Sequence, residues 1–232
     1  YVPGAGIWLN TQRPEWNDAN NALVGNGTSM VTVYYLKRFL EFFKKLTSQI
    51  SIDNIDISLE VLLWFNEVEK AMVTYKNINH GTISDQDRMN YVSSFGKIFE
   101  NYRRKIYSKG FSTSKKLSLD KLKSFISIIC NQFDETILIN YSKKGLFDAY
   151  NTINIDSKTQ SIDVKKLDVM LEGQVAGLSC KSQNCNNKVQ TLKSLFSSNL
   201  YRPDMRSFIL YPEKNTTPFL EKNIIRPDAL KR

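Results

Sequence analysis

Glu15 and Asp18 flank Trp16 in the run Arg13-Pro14-Glu15-Trp16-Asn17-Asp18-Ala19-Asn20-Asn21, which is too polar for a core strand and holds no glycine until Gly25. An indole beside carboxylates and amides is the equipment of a sugar site. The ring stacks on the apolar face of a pyranose, Asn17, Asn20 and Asn21 bond its hydroxyls, and a carboxylic acid protonates a glycosidic oxygen. The simpler reading is local: Asp18 and Asn20 shape a turn before the next helix, and Trp16 fills core.

The triplet Trp16-Asn17-Asp18 resembles the Trp-Asn-Asp signature of the cellobiose and chitobiose phosphorylase family. The longer string from Arg13 to Gly25, running on through Ser29-Met30-Val31-Thr32-Val33-Tyr34-Tyr35-Leu36, is similar to a segment of large, mostly uncharacterised bacterial proteins. So are Leu171-Glu172-Gly173-Gln174-Val175-Ala176 and the stretch from Arg202-Pro203-Asp204 to Ser207-Phe208-Ile209-Leu210-Tyr211-Pro212. The likeness to the phosphorylases is confined to the triplet and its flanking helix; that to the bacterial proteins spans most of the chain. The resemblance implies an (α/α)6 barrel, Asp18 as general acid, and an oligosaccharide or polysaccharide substrate.

Inverting hydrolysis needs a second carboxyl group about 6.5–9.5 Å from the acid, leaving room for water. Phosphorolysis needs only the acid, with inorganic phosphate as co-substrate held by cationic or N–H groups. Glu15 is a rival acid, a like-charge neighbour that raises the Asp18 pKa, or a partner for Arg13. Glu172 is the leading second carboxylate, because it interrupts an apolar helical run from Val169 to Leu178, where a charge is costly unless paired or needed. Gly173 and Gly177 in that run point to close approach by a ligand or a neighbouring helix. The plain alternative places Glu172 on a wet face or against Arg202. Asp204 is a weaker candidate in a Pro-Asp turn. Arg13 or Arg202 would have to bind phosphate, since the single His80 sits in a turn-like loop without the family's phosphate-binding context. No other cofactor is expected.

Composition narrows the classes. At 232 residues and 41% hydrophobic, the chain can bury a core and is not a disordered tail. It begins at Tyr1 and reads as a fragment whose N-terminal part is missing. No segment approaches the roughly twenty apolar residues of a membrane span; Lys37, Arg38 and Glu41 break the run from Met30 to Phe43. The net charge of +9 comes from cations scattered along helices, so solvated helix faces are expected rather than a nucleic-acid surface. Cys130 ends an apolar run and reads as a buried small residue. Cys180 and Cys185 lack the further ligands of a zinc site. Asp18 to Ser29 fails the calcium-loop pattern, with Leu23 where glycine is required and Ser29 where glutamate is required. Two glycosylation-type triplets, at Asn26 and Asn215, carry no weight without evidence of secretion.

The elements that would position these residues are mostly helical. Residues 1–28 read as an irregular catalytic loop and 29–140 as antiparallel helices. Residues 145–167 read as an inserted short hairpin, and 168–232 as helices with an extended tail. Together they make one partial domain. Ser29, Ser58, Ser84 and Ser118 mark helix starts, and Met30, Val33, Tyr34, Leu36, Phe39, Leu40, Phe43 and Leu46 form a broad apolar face on the first helix. That is roughly half the helices of an (α/α)6 barrel. The expected function is glycosidic-bond cleavage by inverting general-acid chemistry. The rival is a silent helical module that binds polysaccharide through Trp8, Trp16 and nearby tyrosines, or packs on a partner domain. A nucleic-acid scaffold would require a contiguous Lys/Arg face.

Overall fold

In the computed structural model, which describes residues 1–9, 22–182, 188–212 and 217–225, three serines each end a strand and start a helix. Ser29 closes strand β2 (Gly27–Ser29) and caps helix α1 (Met30–Ser48), its Oγ accepting from the Thr32 N–H at 3.0 Å. Ser58 closes β3 (Asn54–Ser58) and caps α2 (Leu59–Thr74). Ser118 closes β4 (Ser114–Ser118) and caps α4 (Leu119–Ile139). The hydroxyl satisfies an amide that the first turn leaves without an intrahelical partner. The intervening helix α3 (Asp85–Lys109) starts on Ser84, whose Oγ accepts from Asp87 N at 3.0 Å, and stops at Gly110 with φ +69°.

β3 and β4 pair antiparallel from Asn54↔Ser118 to Ser58↔Ser114, so α2 and α4 leave opposite ends of one ribbon. A second, four-stranded antiparallel sheet has the order β1 (Ile7–Trp8), β2, β5 (Tyr150–Asp156), β6 (Ser161–Lys166). Then follow α5 (Leu171–Ser179), α6 (Lys188–Phe196), the two-residue pair β7 (Tyr201–Arg202) and β8 (Ser207–Phe208), and the single turn α7 (Phe219–Lys222).

This architecture overturns the mainly α, barrel-derived expectation. The chain is mixed α/β, with seven helices among the described residues, and its four-stranded sheet is open, with β1 and β6 as edges. Helices do not follow one another around a ring. α1 packs on α4 and α5, α2 on α3 and α4, and α3 lies against β6. Met89 and Val92 of α3 meet Ile153 and Ile162 of the hairpin, so the hairpin is part of the core rather than an insertion between barrel helices. The apolar face expected on α1 is not wholly buried: Phe39 is 54% and Leu46 42% exposed.

The N-terminal residues, read as irregular loop, are also core. Val2 and Ala5 are fully buried. Asn140 Nδ2 donates to Gly4 O at 2.9 Å; Asn151 Nδ2 donates to Ala5 O at 2.7 Å and to Asn140 Oδ1 at 2.9 Å. Thr28 Oγ1 donates to Ala5 O at 2.7 Å. The Tyr1 hydroxyl meets Thr136 and Asn79, and burial pushes its phenol up to about 12. The amide donors of Asn140 and Asn151 and the Thr28 hydroxyl thus find buried acceptors, whereas Asn79 Oδ1 and Asn151 Oδ1 accept no hydrogen bond among the described residues. Gly6 has φ +122°, and a Cβ there would fall 2.8 Å from Ser29 O, so only glycine lets β1 lie against the start of α1. The anchored segment hands the chain to Trp8 and Leu9 in a fixed position.

Candidate functional site

Arg13, Glu15, Trp16, Asn17, Asp18, Asn20 and Asn21 lie outside the described residues. The flanks of their segment are described. Gly25 N donates to Leu9 O at 2.6 Å, Leu9 N to Gly27 O at 2.9 Å, and Trp8 Nε1 to Gly25 O at 3.1 Å. The two flanks of that segment, at Leu9 and Gly25, therefore lie together. Leu9 and Leu23, on the two sides, pack with Leu167 and Met170 around Ala149 and Tyr150.

Tyr150 links that place to Glu172. Its hydroxyl donates to Glu172 Oε1, on the first turn of α5. Glu172 is half-buried, and its hydrogen-bond partner is the tyrosine rather than Arg202, which instead grips Asp204 at 3.0 and 3.1 Å. That hydrogen bond to Arg202 holds the exposed Asp204 carboxyl below its ordinary value, which suits an anion and not a proton donor.

Gly173 and Gly177 mark a close approach, but the neighbour is the chain leading into β5. A Cβ on Gly173 would lie 2.9 Å from Ala149 Cβ, and one on Gly177 would lie 2.4 Å from Phe147 Cγ. Between them the buried Gln174 accepts from Phe147 N at 2.9 Å and donates to Phe147 O at 2.7 Å. Its amide completes the backbone pairing that residue 147 would otherwise lack. Sequence reasoning missed Gln174; the signal was an amide flanked by two helix-spaced glycines. Together these contacts fix α5, and with it the Glu172 backbone, against residues 147–150.

A cleft of about 720 Å³ opens beside this region. Its polar walls include Lys144, Asp168, Ser194, Ser198 and Asn199, and Leu167 belongs both to the cleft and to the cluster around Tyr150. Glu172 does not line it. Its size suits a small ligand, and its hydroxyl, amide, cationic and carboxylate groups suit a polyhydroxylated one. None of these residues was assigned to a site from sequence, because they come from three separated segments.

The remaining candidates are structural where described. Cys130 and Cys180 are buried, and burial pushes the Cys180 thiol up to about 12, so neither is poised as a nucleophile. Cys185 lies outside the described residues. Among the described residues no group of three His, Cys, Asp or Glu could hold a metal ion, and no helix is long and apolar enough to cross a membrane. No protein-family model matches the chain, and a search of curated proteins gave no match.

Proposed function

We propose that the chain cleaves a glycosidic bond by general-acid chemistry, with Asp18 as the acid, Glu172 as the second carboxylate and the Lys144–Asp168–Asn199 cleft as a sugar subsite. One observation carries the reading. Leu9 and Leu23, which bracket the run containing Asp18, pack on Tyr150, whose hydroxyl holds Glu172. Five residues of chain span at most about 18 Å, so Asp18 is tethered within that reach of Leu23. The carboxylate-and-indole run and the half-buried glutamate thus share one footing, next to a polar cleft.

In this reading Asp18 protonates the leaving oxygen, while Trp16 stacks on the sugar and Asn17, Asn20 and Asn21 bond its hydroxyls. Arg13 or Arg202 would meet phosphate in the phosphorolytic variant. In the hydrolytic variant Glu172, oriented by Tyr150, takes a proton from the attacking water. The barrel is no part of the proposal; the chemistry is carried by the residues alone.

The test uses the full chain on a panel of aryl glycosides, disaccharides and glycosyl fluorides, with and without phosphate. Asp18→Asn should lower turnover of alkoxide-leaving substrates by about 10²–10⁴-fold, yet spare the glycosyl fluoride, whose leaving group needs no proton. Equal loss on both substrates would remove Asp18 as the acid. Oligosaccharide binding without any turnover by the unmodified chain would assign the module to binding alone.

A further inference from the structure

Helix α1 carries two apolar faces, and the fold uses one of them. Its buried residues are Met30, Val33, Tyr34, Lys37 and Thr47. Met30, Val33 and Tyr34 pack with Phe133 and Ile137 of α4 and Ala176 of α5, and Lys37 reaches Asp134 of α4. On the other side Tyr35, Phe39, Phe42 and Leu46 are 42–61% exposed. Their spacing of four, three and four residues is the alternation of the d and a positions of a heptad, and Thr32 extends it by one place. With Thr32, Phe39 and Leu46 at a and Tyr35 and Phe42 at d, every buried residue of α1 falls at b, c or f. A coiled-coil helix turns b, c and f to water and its a/d seam to a partner helix. In α1 the b, c and f positions are occupied by the chain's own core, and the seam is left open.

The seam runs from Thr32 to Leu46, two heptads and about 21 Å. Its four exposed residues fall within about 60° of the helix circumference. One edge is apolar. Leu36 and Phe43 take the e positions; Phe43 is half-buried, with its ring stacked 6.0 Å from that of Phe39. The other edge is cationic. Arg38 and Lys45 take both g positions, both are exposed, and neither has an acid within ion-pair distance among the described residues. Glu41, the sole acid of the helix, is at c and pairs with Lys37 at 3.0 Å.

The edges decide between occupants. Two copies of α1 do not complement each other. An antiparallel pair opposes g with g, setting Arg38 and Lys45 against the same cations, and a parallel pair opposes g with e, setting them against Leu36 and Phe43. A helix lying in a lipid surface presents a broad apolar face with its cations on the polar face; here the most open band is a narrow seam, with the cations along one edge. Two heptads of a/d residues with unpaired cations at g fit a helix whose facing flank is acidic, because the g position is where interhelical ion pairs select the partner. We propose that the α1 seam docks an amphipathic helix of a partner protein, apolar at its own a and d positions and acidic on the flank that meets Arg38 and Lys45. The proposal is independent of the glycoside reading, since none of these residues lines the cleft or touches Glu172.

The experiment is fluorescence anisotropy of the full chain with two labelled three-heptad peptides. Both have Leu at a and d; one has Glu and the other Lys at every e and g position, so neither pairs well with itself. The Glu peptide should bind. The Lys peptide should bind about tenfold more weakly at low salt, because two edge contacts change from attraction to repulsion, and high salt should narrow the difference. Arg38→Glu/Lys45→Glu should invert the order of the two peptides. Phe39→Ser/Phe42→Ser should abolish binding of both. All four positions are exposed, and circular dichroism checks folding. Failure of either peptide to bind would overturn the proposal, as would equal binding of both with no response to the charge reversal, which is apolar adhesion without selection. Two further results would also overturn it. A dimer by sedimentation that Phe39→Ser/Phe42→Ser dissociates would assign the seam to a second copy. Co-sedimentation with phosphatidylserine vesicles, without peptide binding, would assign it to anionic lipid.

Discussion

Replacing Lys37 by methionine is the sharpest test of how α1 and α4 are held together. Lys37 Nζ is 2.8 Å from Asp134 Oδ2 and 3.0 Å from Glu41 Oε1; the Lys37 and Asp134 side chains are only 2% and 5% exposed, while Glu41 reaches solvent at 32%. Burial alone would lower the Lys37 pKa, but the hydrogen bonds it donates to Asp134 and Glu41 outweigh it, and the net shift is upward. Asp134 Oδ1 has no hydrogen-bond partner among the described residues, so the carboxylate depends on this one cation. Lys37→Met should therefore cost about 3–5 kcal/mol at pH 7, the penalty for a buried charge stripped of its partner. Lys37→Met/Asp134→Leu removes both charges and should fall within about 1 kcal/mol of the unmodified chain, as apolar replacements of buried pairs commonly do. Urea denaturation at pH 7 reads both variants against the unmodified chain. A loss below about 1 kcal/mol for Lys37→Met, or a double variant as unstable as the single one, would refute the reasoning.

Other substitutions probe the close approaches and the second buried carboxylate. Gly177→Ala would press a Cβ to 2.4 Å from the Phe147 ring, which Tyr34 and Tyr141 hold at centroid distances of 5.4 and 4.7 Å. The clash should outweigh the alanine's helix preference, for a net loss of about 1–2 kcal/mol by thermal or urea denaturation. Gly96→Ala, with nothing within 4 Å of the added Cβ, should instead gain about 0.5–1 kcal/mol. Burial raises the Asp148 pKa despite its ion pair with Lys166 at 2.7 Å. A folded pKa above the unfolded one means stability is highest below the unfolded carboxyl pKa and declines as pH rises through the folded value. Asp148→Asn should therefore become progressively less harmful from pH 4 to pH 7; urea midpoints showing the opposite trend would exclude that assignment.

The helices were legible because their signals are local. Ser29, Ser58, Ser84 and Ser118 each sit one residue before a helix that begins where the apolar period does. The fold class was not legible, because the sheets join distant residues: Gly27 pairs with Thr152, and Ile55 with Leu117. The parallel phrases Ile57-Ser58-Leu59-Glu60 and Leu117-Ser118-Leu119-Asp120 encode the same strand-to-helix step, yet nothing local says that the two strands pair. Periodicity also reports apolarity without naming what covers it. On α1 it treated Phe39 and Leu46 as core, although they are exposed, and passed over Lys37, which is buried because Asp134 lies 97 positions away. At the site, the need for a partner at Glu172 and the close approach at Gly173 and Gly177 were readable from a charge and two glycines in an apolar run. That the partner is Tyr150 and the neighbours are Ala149 and Phe147 depends on tertiary packing.

The measurement that bears most directly on the central claim is the separation of the Asp18 and Glu172 carboxyl groups in a crystal of the full chain with a bound, non-hydrolysable glycoside. The account predicts the two carboxyls facing each other across the sugar at about 6.5–9.5 Å, with Trp16 against the ring. A glycoside bound away from Asp18, or the two carboxyls on separate surfaces, would contradict it.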